Sequence, residues 1–431
     1  MSEPTPAAVG EPRWGLLRQV GLPYFVIAFI ARLPFAMMVV GVLTLVVSAR
    51  GSLSLGGLNS AAVGFGTACF GPLLGAASDR FGQRPVLLGV GIANGIVLAG
   101  FAWLVYSPVP DAVMLVGAFL IGATAPQVAP LSRARLVAII GRRIDRTRHE
   151  RVFNATMAYE SAADETVFVF GPLIVGILAS LISPWAPLVG AAALTIVFVT
   201  AFALHPTAPP AQTRAHAAAA GPVSELFRPA LVVVVVGILG VGFFFGAMLT
   251  SLTAFMDDRG ISEQAGLLYG VMGIGSATLA LGVALFPERF TRAWRWLCFG
   301  AVIFVGSLVL PFVPSVGAMA AALAVMGLGI GPTLVTQYSI GAERSPVGRS
   351  STVMAILGSA VIVGQSLSSA VTGEVAQRFG TPAAMVVPIV SAAIVVAAGV
   401  GNALLSRGRY AAPFAHTQPS GNVPDSRNSA S

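Results

Sequence analysis

Four ionisable side chains stand in stretches of sequence that are otherwise almost wholly apolar: Arg32, Glu160, Asp164 and Glu165. A charge at the centre of a bilayer costs about 3 kcal/mol even on insertion scales, so such residues are kept for ion pairing, proton relay or cargo binding. Glu160 and Asp164 are one helical turn apart and share a helix face. Three acids against one arginine leave carboxylates without a partner. An unpartnered carboxylate in a low dielectric takes up protons readily and can carry them. The alternative is a static ion pair that only orders the helices around it. The charge count favours the carrier, because one arginine cannot neutralise three acids.

Other chemistries leave no trace. His149, His205, His216 and His416 fall in loops or tails and form no ligand cluster, so no metal is expected. Cys69 and Cys298 lie in apolar stretches of different halves, which argues against a disulfide. No phosphate-binding glycine loop is present, so ATP is not the expected energy source and no cofactor is expected. Asn154-Ala155-Thr156 matches a glycosylation sequon, but at a helix start the asparagine reads as a cap.

The elements that must carry the charges follow from composition. Of 431 residues, 56% are hydrophobic and 10% charged, and all 25 basic residues are arginine. Soluble proteins carry about 25% charged residues. A soluble enzyme, a disordered chain and a disulfide-rich secreted domain are therefore excluded, and a polytopic membrane protein remains. Twelve apolar stretches run near 22–47, 55–78, 85–106, 112–133, 153–181, 187–204, 230–256, 265–286, 296–313, 316–338, 352–375 and 383–405. Each is about the 20 residues that cross hydrocarbon as a helix. The short alternating segments of a β-barrel do not occur. The first stretch is too long for a cleaved signal peptide and reads as a retained span.

With both termini inside, every arginine except Arg32, Arg50, Arg259 and Arg378 is cytoplasmic, and the loop 133–151 is the richest. This positive-inside bias fits an even number of spans. It also accounts for the formal charge of +8 without a nucleic-acid partner. The expected fold is an all-α membrane protein of twelve transmembrane helices in two pseudo-symmetric six-helix bundles. A cytoplasmic tail 1–20 precedes a first bundle 21–204, a cytoplasmic linker 205–229, a second bundle 230–406 and a disordered cytoplasmic tail 407–431. The halves repeat in order. Asp79-Arg80-Phe81 matches Glu288-Arg289-Phe290, Pro126 matches Pro332, and Glu160-Ser161-Ala162 matches Gly358-Ser359-Ala360.

After span 2 stands Gly75-Ala76-Ala77-Ser78-Asp79-Arg80-Phe81-Gly82-Gln83-Arg84-Pro85. It resembles the signature loop of the major facilitator superfamily, G-x-x-x-D-R-x-G-x-R, and stands between spans 2 and 3 as it does there. The resemblance implies two bundles that rock about a central site. Gly75 would let span 2 approach span 11. Asp79 would face the positive end of span 11 near Ser350 and Ser351 and favour the cytoplasm-closed state. Arg80 and Arg84 would add cytoplasmic ion pairs, and Gly82 completes the motif. In span 5, Gly171-Pro172 with Gly176 resembles in part the glycine–proline motif of antiporters of the superfamily; the alternative is a plain kink. Span 4, ending near 133, lacks the mid-helix arginine of the drug/proton antiporter branch.

The resemblance also places spans 1 and 5 together. Arg32 and Asp164 then meet at about 15 Å depth, and Arg32 pairs with Asp164 or Glu165. Spans 1, 4, 7 and 10 would line the cavity, with Gln127, Thr336, Gln337 and Tyr338 as its sparse polar groups. Gln365 contributes from span 11, and Phe35, Met38, Phe244 and Met248 supply adaptable apolar surface. So few polar groups fit an amphipathic or aromatic cargo better than a sugar. The expected activity is secondary active transport of a small organic solute across the plasma (inner) membrane, as proton-coupled efflux by a monomer. Its partners would be the substrate, protons and the bilayer. Proton-symport uptake of a sugar or other metabolite is the alternative within the class. A non-transporting membrane sensor or scaffold is the alternative outside it. A membrane enzyme would need a catalytic dyad or a metal cluster, and the sequence offers neither.

The topology is testable in a background with Cys69 and Cys298 replaced. Single cysteines in the 205–229 linker and after Leu405 should resist an impermeant thiol reagent in intact cells, and one beside Asp257 should react. Labelling of the linker from outside would overturn the span count.

Overall fold

A computed structural model describes residues 15–209, 221–261, 265–287 and 289–407. Most of the N-terminal tail, the middle of the linker, Glu288 and the tail after Arg407 lie outside the described residues, as do the side chains of Glu165 and Pro172. Twelve helices among the described residues are long and apolar enough to span a membrane. Spans 1–6 are Leu22–Arg50, Leu55–Phe81, Gln83–Leu104, Asp111–Arg143, Thr147–Leu181 and Ala186–Leu204. Spans 7–12 are Pro229–Asp257, Leu268–Leu285, Arg292–Phe312, Val316–Glu343, Ser350–Phe379 and Thr381–Ser406. Phe65, Trp103, Leu181 and Phe312 stand exposed on the helix perimeter. Exposed apolar bulk of this kind fits lipid as the solvent.

The packing repeats with a shift of six spans. Spans 1·5, 1·6, 2·4 and 3·6 pack in the first half, and 7·11, 7·12, 8·10 and 9·12 in the second. The same shift turns the 5·8 contact into 11·2 and the 4·11 contact into 10·5, and these contacts join the halves. The two six-helix bundles are thus pseudo-symmetric. Their cores are not. Met37, Leu45, Val63, Phe101 and Leu188 form a core confined to the first bundle. Phe153, Met157 and Ala158 of span 5 instead belong to the same core as Met272, Leu357 and Tyr338 of the second bundle.

Span 4 corrects the expected boundary. It does not end near residue 133 but continues to Arg143, and span 5 begins at Thr147. Arg133 and Arg135 are therefore buried helical residues, not loop residues. Hydropathy underrates this segment, whereas Leu, Ala and Arg are all good helix formers.

Span 4 is also broken, into Asp111–Ala123 and Val128–Arg143. Pro126 cannot donate to Gly122, and Pro130 cannot donate to Pro126, so two helical hydrogen bonds one turn apart are lost. Side chains satisfy the freed carbonyls, as they must where no water competes. Asn94 Nδ2 donates to Ile121 O at 2.9 Å, Thr67 Oγ1 to Gly122 O at 3.3 Å, and Gln127 Nε2 to Ala125 O at 3.1 Å. The symmetric Pro332 leaves span 10 unbroken over Val316–Glu343. No second proline follows it there, and Thr336 Oγ1 bonds to the Pro332 carbonyl at 2.7 Å. Span 1 is interrupted in a similar way. Pro34 removes one donor, and helices Leu22–Ile30 and Leu33–Arg50 flank Ala31 and Arg32.

Gly122 marks the closest approach of spans 2 and 4. A Cβ there would lie 2.8 Å from the Val63 carbonyl carbon and 2.9 Å from Thr67 N. Overpacking of this kind costs about 1–3 kcal/mol. Gly122→Ala should lower the melting temperature of the purified protein. Gly89→Ala, which meets nothing within 4 Å, should not. Equal melting of the two would refute the close approach.

Candidate functional site

The two interrupted helices deliver their arginines to one place. Arg32, at the break of span 1, places NH2 2.5 Å from Glu160 Oε2 and NH1 3.5 Å from Asp164 Oδ1. Arg133, in the second half of span 4, places NH2 2.7 Å from Asp164 Oδ2. Ser132 Oγ donates to the other Glu160 oxygen at 3.0 Å and shares a 2.8 Å hydrogen bond with the Tyr24 hydroxyl. Glu160 and both guanidinium groups are fully buried, whereas Asp164 keeps 19% exposure. The expectation of a single arginine is corrected, while the third expected acid, Glu165, has its side chain outside the described residues. Two arginines meet two described carboxylates, and Arg32 makes its shortest contact with Glu160, not Asp164. Sequence reasoning missed Arg133 because it was assigned to a loop. The signal that could have found it is the Pro126/Pro130 pair, which places a helix start directly before it.

Arg133 also reaches across the bundles. Its guanidinium carbon lies 3.8 Å from the ring centre of Tyr338 in span 10. A cation over a desolvated aromatic face is worth about 2 kcal/mol. One side chain therefore touches both the acid cluster and the second half. Arg135, two residues on, points the other way. It bonds to Gln83 Oε1 and the Phe202 carbonyl, each at 3.0 Å, and ties together the ends of spans 3, 4 and 6. His205, beside it, is held below the usual histidine range by burial, with the Arg135 charge adding to the effect.

At the face carrying the chain ends, Asp79 caps span 11 from outside the helix. Its carboxylate accepts from Ser351 N at 3.0 Å, Thr352 N at 2.7 Å and Thr352 Oγ1 at 2.6 Å. Arg349 occupies the cap position of that helix and supplies no side-chain cap, so Asp79 fills the role. A Cβ at Gly75 would come within 2.8 Å of the Ser351 carbonyl, which is why the spans meet there. Gly82 turns the chain with φ +88°. Arg80 and Arg84 are exposed and form no ion pair with the described residues, contrary to expectation. Arg80 instead lies 5.2 Å from the Phe81 ring.

The expected cavity residues separate. Met38 belongs to the first bundle's core, with Phe35 packed against it, while Phe244 and Met248 belong to the second bundle's. Gln127 lies at the span 4 break, near Ser359 of span 11. Gln337 is fully buried with neither amide atom bonded. Gln365 is half-buried, and its carbonyl faces Gly246. Gly171 seats span 5 on Ala36 of span 1: a Cβ there would meet Ala36 Cβ at 2.6 Å.

The sequence matches the Major Facilitator Superfamily over residues 24–361. The chain belongs to that superfamily. It is thus a multi-pass membrane protein of a family of secondary transporters that take small-molecule substrates. No curated protein matches its sequence. Solved structures share the fold. The human organic anion transporter MFSD10 (TETRAN) is 17% identical with a TM-score of 0.66, over 91% of this chain and 100% of that one. The proton:xylose symporter XylE, bound to 6-bromo-6-deoxy-D-glucose, is 15% identical with a TM-score of 0.62, over 88% and 94%.

Asp79→Asn keeps the side-chain shape but removes the charge and turns one acceptor into a donor. Hydrogen bonds to a charged group contribute about 1.5–3 kcal/mol. The variant should stay folded and label more readily at an engineered Ala158→Cys, a core position at the junction of the bundles. Unchanged labelling would mean that the Asp79 contact does not hold this face closed.

Proposed function

We propose that this protein is a proton-coupled exporter of a small organic compound, working by alternating access as a monomer in the plasma (inner) membrane. The face carrying the linker and both chain ends is cytoplasmic in this reading, as the arginine distribution requires. The observation that carries it is the four-charge network of Arg32, Glu160, Asp164 and Arg133, with its reach to Tyr338.

Buried and balanced, such a network changes state only when a proton or a cargo charge alters its count. Asp164 is the proton carrier in this proposal, because it alone among the four keeps access to solvent. Protonating it removes the partner of Arg133 and leaves a net positive charge at depth. Arg133 must then find another partner, and its packing against Tyr338 must change with it. Proton uptake is thereby tied to the junction between the bundles. Glu160, enclosed by Arg32 and Ser132, holds the network in place. Glu165 remains a secondary candidate on the same helix. Cargo would meet the break of span 4, since an interrupted helix within the membrane often marks transporter binding sites. The apolar residues around these groups support an amphipathic or aromatic compound over a sugar.

Survival of a strain lacking its own efflux pumps, challenged with such compounds, identifies a substrate. In proteoliposomes that compound should then drive protons in the opposite direction. Asp164→Asn should cut this proton flux at least tenfold while leaving expression intact. Glu160→Gln should instead cost stability, since breaking a buried pair costs about 3–5 kcal/mol. Wild-type proton flux in Asp164→Asn would exclude the network as the coupling site, and flux of both species in one direction would replace export with symport.

A further inference from the structure

Two arginines on the face opposite the chain ends repeat one arrangement. Arg50 closes span 1 and Arg259 stands just past the end of span 7. Each is followed by a glycine in the left-handed region, Gly51 at φ +64° and Gly260 at φ +72°. Each reaches a backbone carbonyl at the far end of another span. Arg50 Nε donates to Val105 O at 2.9 Å and NH2 to Ser107 O at 2.7 Å, where span 3 ends. Arg259 NH2 donates to Pro314 O at 3.3 Å, just after span 9. Arg50 and Val105 are 55 positions apart, and so are Arg259 and Pro314, which makes the tie part of the internal repeat.

The ties supplement the packing. Span 1 packs chiefly on spans 2, 5 and 6, and span 7 chiefly on spans 11 and 12. The arginines add a link from 1 to 3 and from 7 to 9. Carbonyls at a helix end lack partners within the helix and carry partial negative charge, which suits a guanidinium fork. Carbonyls do not titrate, so the ties persist across pH.

The two ties are unequal, and the difference follows the helices. Span 1 is interrupted at Ala31 and Arg32, so its far half, Leu33–Arg50, is a separate rod. Arg32 fastens one end of that rod to span 5, and Arg50 fastens the other to span 3. Span 7 is unbroken over Pro229–Asp257. Arg259 gives NH1 to its own helix, at Phe255 O, and lies 3.5 Å from the centre of the Phe255 ring. The broken helix therefore has the shorter, two-pronged tie.

We propose, on the alternating-access reading and independently of its coupling ion and cargo, that Arg50 and Arg259 are positioning residues that make each bundle move as one body at this face. Spans 1 and 7 then shift together with spans 3 and 9 and do not bend alone. A plain helix-end cap would stabilise the end of span 3 or 9 without constraining span 1 or 7. A tie does more: the distance across it stays fixed while the bundles move relative to each other.

The test uses the full-length protein in nanodiscs, with Cys69 and Cys298 replaced and spin labels on pairs of engineered cysteines. Ser48→Cys with Tyr106→Cys, both at exposed positions, spans the first tie, and Ser48→Cys with Thr253→Cys spans the two bundles. The distance between labels at 48 and 106 should be narrowly distributed, and should stay so when Asp79→Asn shifts the distance between labels at 48 and 253. Arg50→Gln should widen the 48–106 distribution at least twofold. Arg50→Lys keeps the charge but not the fork, so its width should fall between; it also serves as the second variant where Arg50→Gln does not fold. Arg259→Gln should widen the corresponding distribution between Thr253→Cys and Phe312→Cys by less. Wild-type widths in Arg50→Gln, with only a lowered melting temperature, are the behaviour of a cap alone and overturn the proposal. A 48–106 distance that moves with Asp79→Asn while Arg50 is intact overturns it as well. If Asp79→Asn leaves the 48–253 distance unchanged, the reading of Asp79 as the closing contact fails, and the widths in Arg50→Gln decide on the tie by themselves.

Discussion

The pairing of buried opposite charges governs the centre of this protein. Arg32, Arg133, Glu160 and Asp164 cancel one another where solvent reaches only Asp164. Each would be costly alone and is tolerable only with the others in place. That requirement fixes spans 1, 4 and 5 relative to one another more tightly than apolar packing can, because apolar side chains slide past neighbours of similar size whereas ion pairs of this length do not. It also sets what the bundle can respond to. A change in the number of charges, by a proton or a charged cargo, is the perturbation this arrangement cannot absorb locally.

Proline makes the arrangement possible. Unbroken helices with the same sequences would carry Arg32 and Arg133 in whatever direction the helical period dictated. Pro34, Pro126 and Pro130 release the backbone at the segments before or beside each arginine. Asn94, Thr67 and Gln127 then repair the exposed carbonyls, so the break is stable and not a frayed end. The second bundle has the corresponding proline but neither the break nor the buried charges of spans 1, 4 and 5. The repeat is thus a scaffold symmetry, with the chemistry placed on one side of it.

Much of this was legible in the sequence. Span number and the two-bundle plan follow from hydropathy and arginine placement, since both are set by the bilayer. The Asp79 contact with span 11 follows from a motif with one physical use, an acid at a helix N-terminus. Arg133 was not legible, because a hydropathy window treats an arginine as a boundary whether or not it is neutralised. The choice of Glu160 over Asp164 as the nearest partner of Arg32 was hidden for a related reason. Depth along a helix is readable from residue number, but the rotation imposed by the break at Ala31 and Arg32 is not. Met38, Phe244 and Met248 have cavity-like composition, and nothing in residue type distinguishes a cavity wall from a bundle core.

The pairing of Arg32 with Glu160 has a consequence for how the chain is made. The two residues are 128 positions apart. At ribosomal rates of about 5–20 residues per second, span 1 emerges roughly 6–26 seconds before its counter-charge exists. During that interval Arg32 is an uncompensated cation in a helix that is otherwise ready for lipid. Such a helix rests better beside the insertion machinery, or with its arginine turned to the interface, than alone in the bilayer. The first five spans are therefore expected to enter the membrane as a group, released together when span 5 brings the carboxylates.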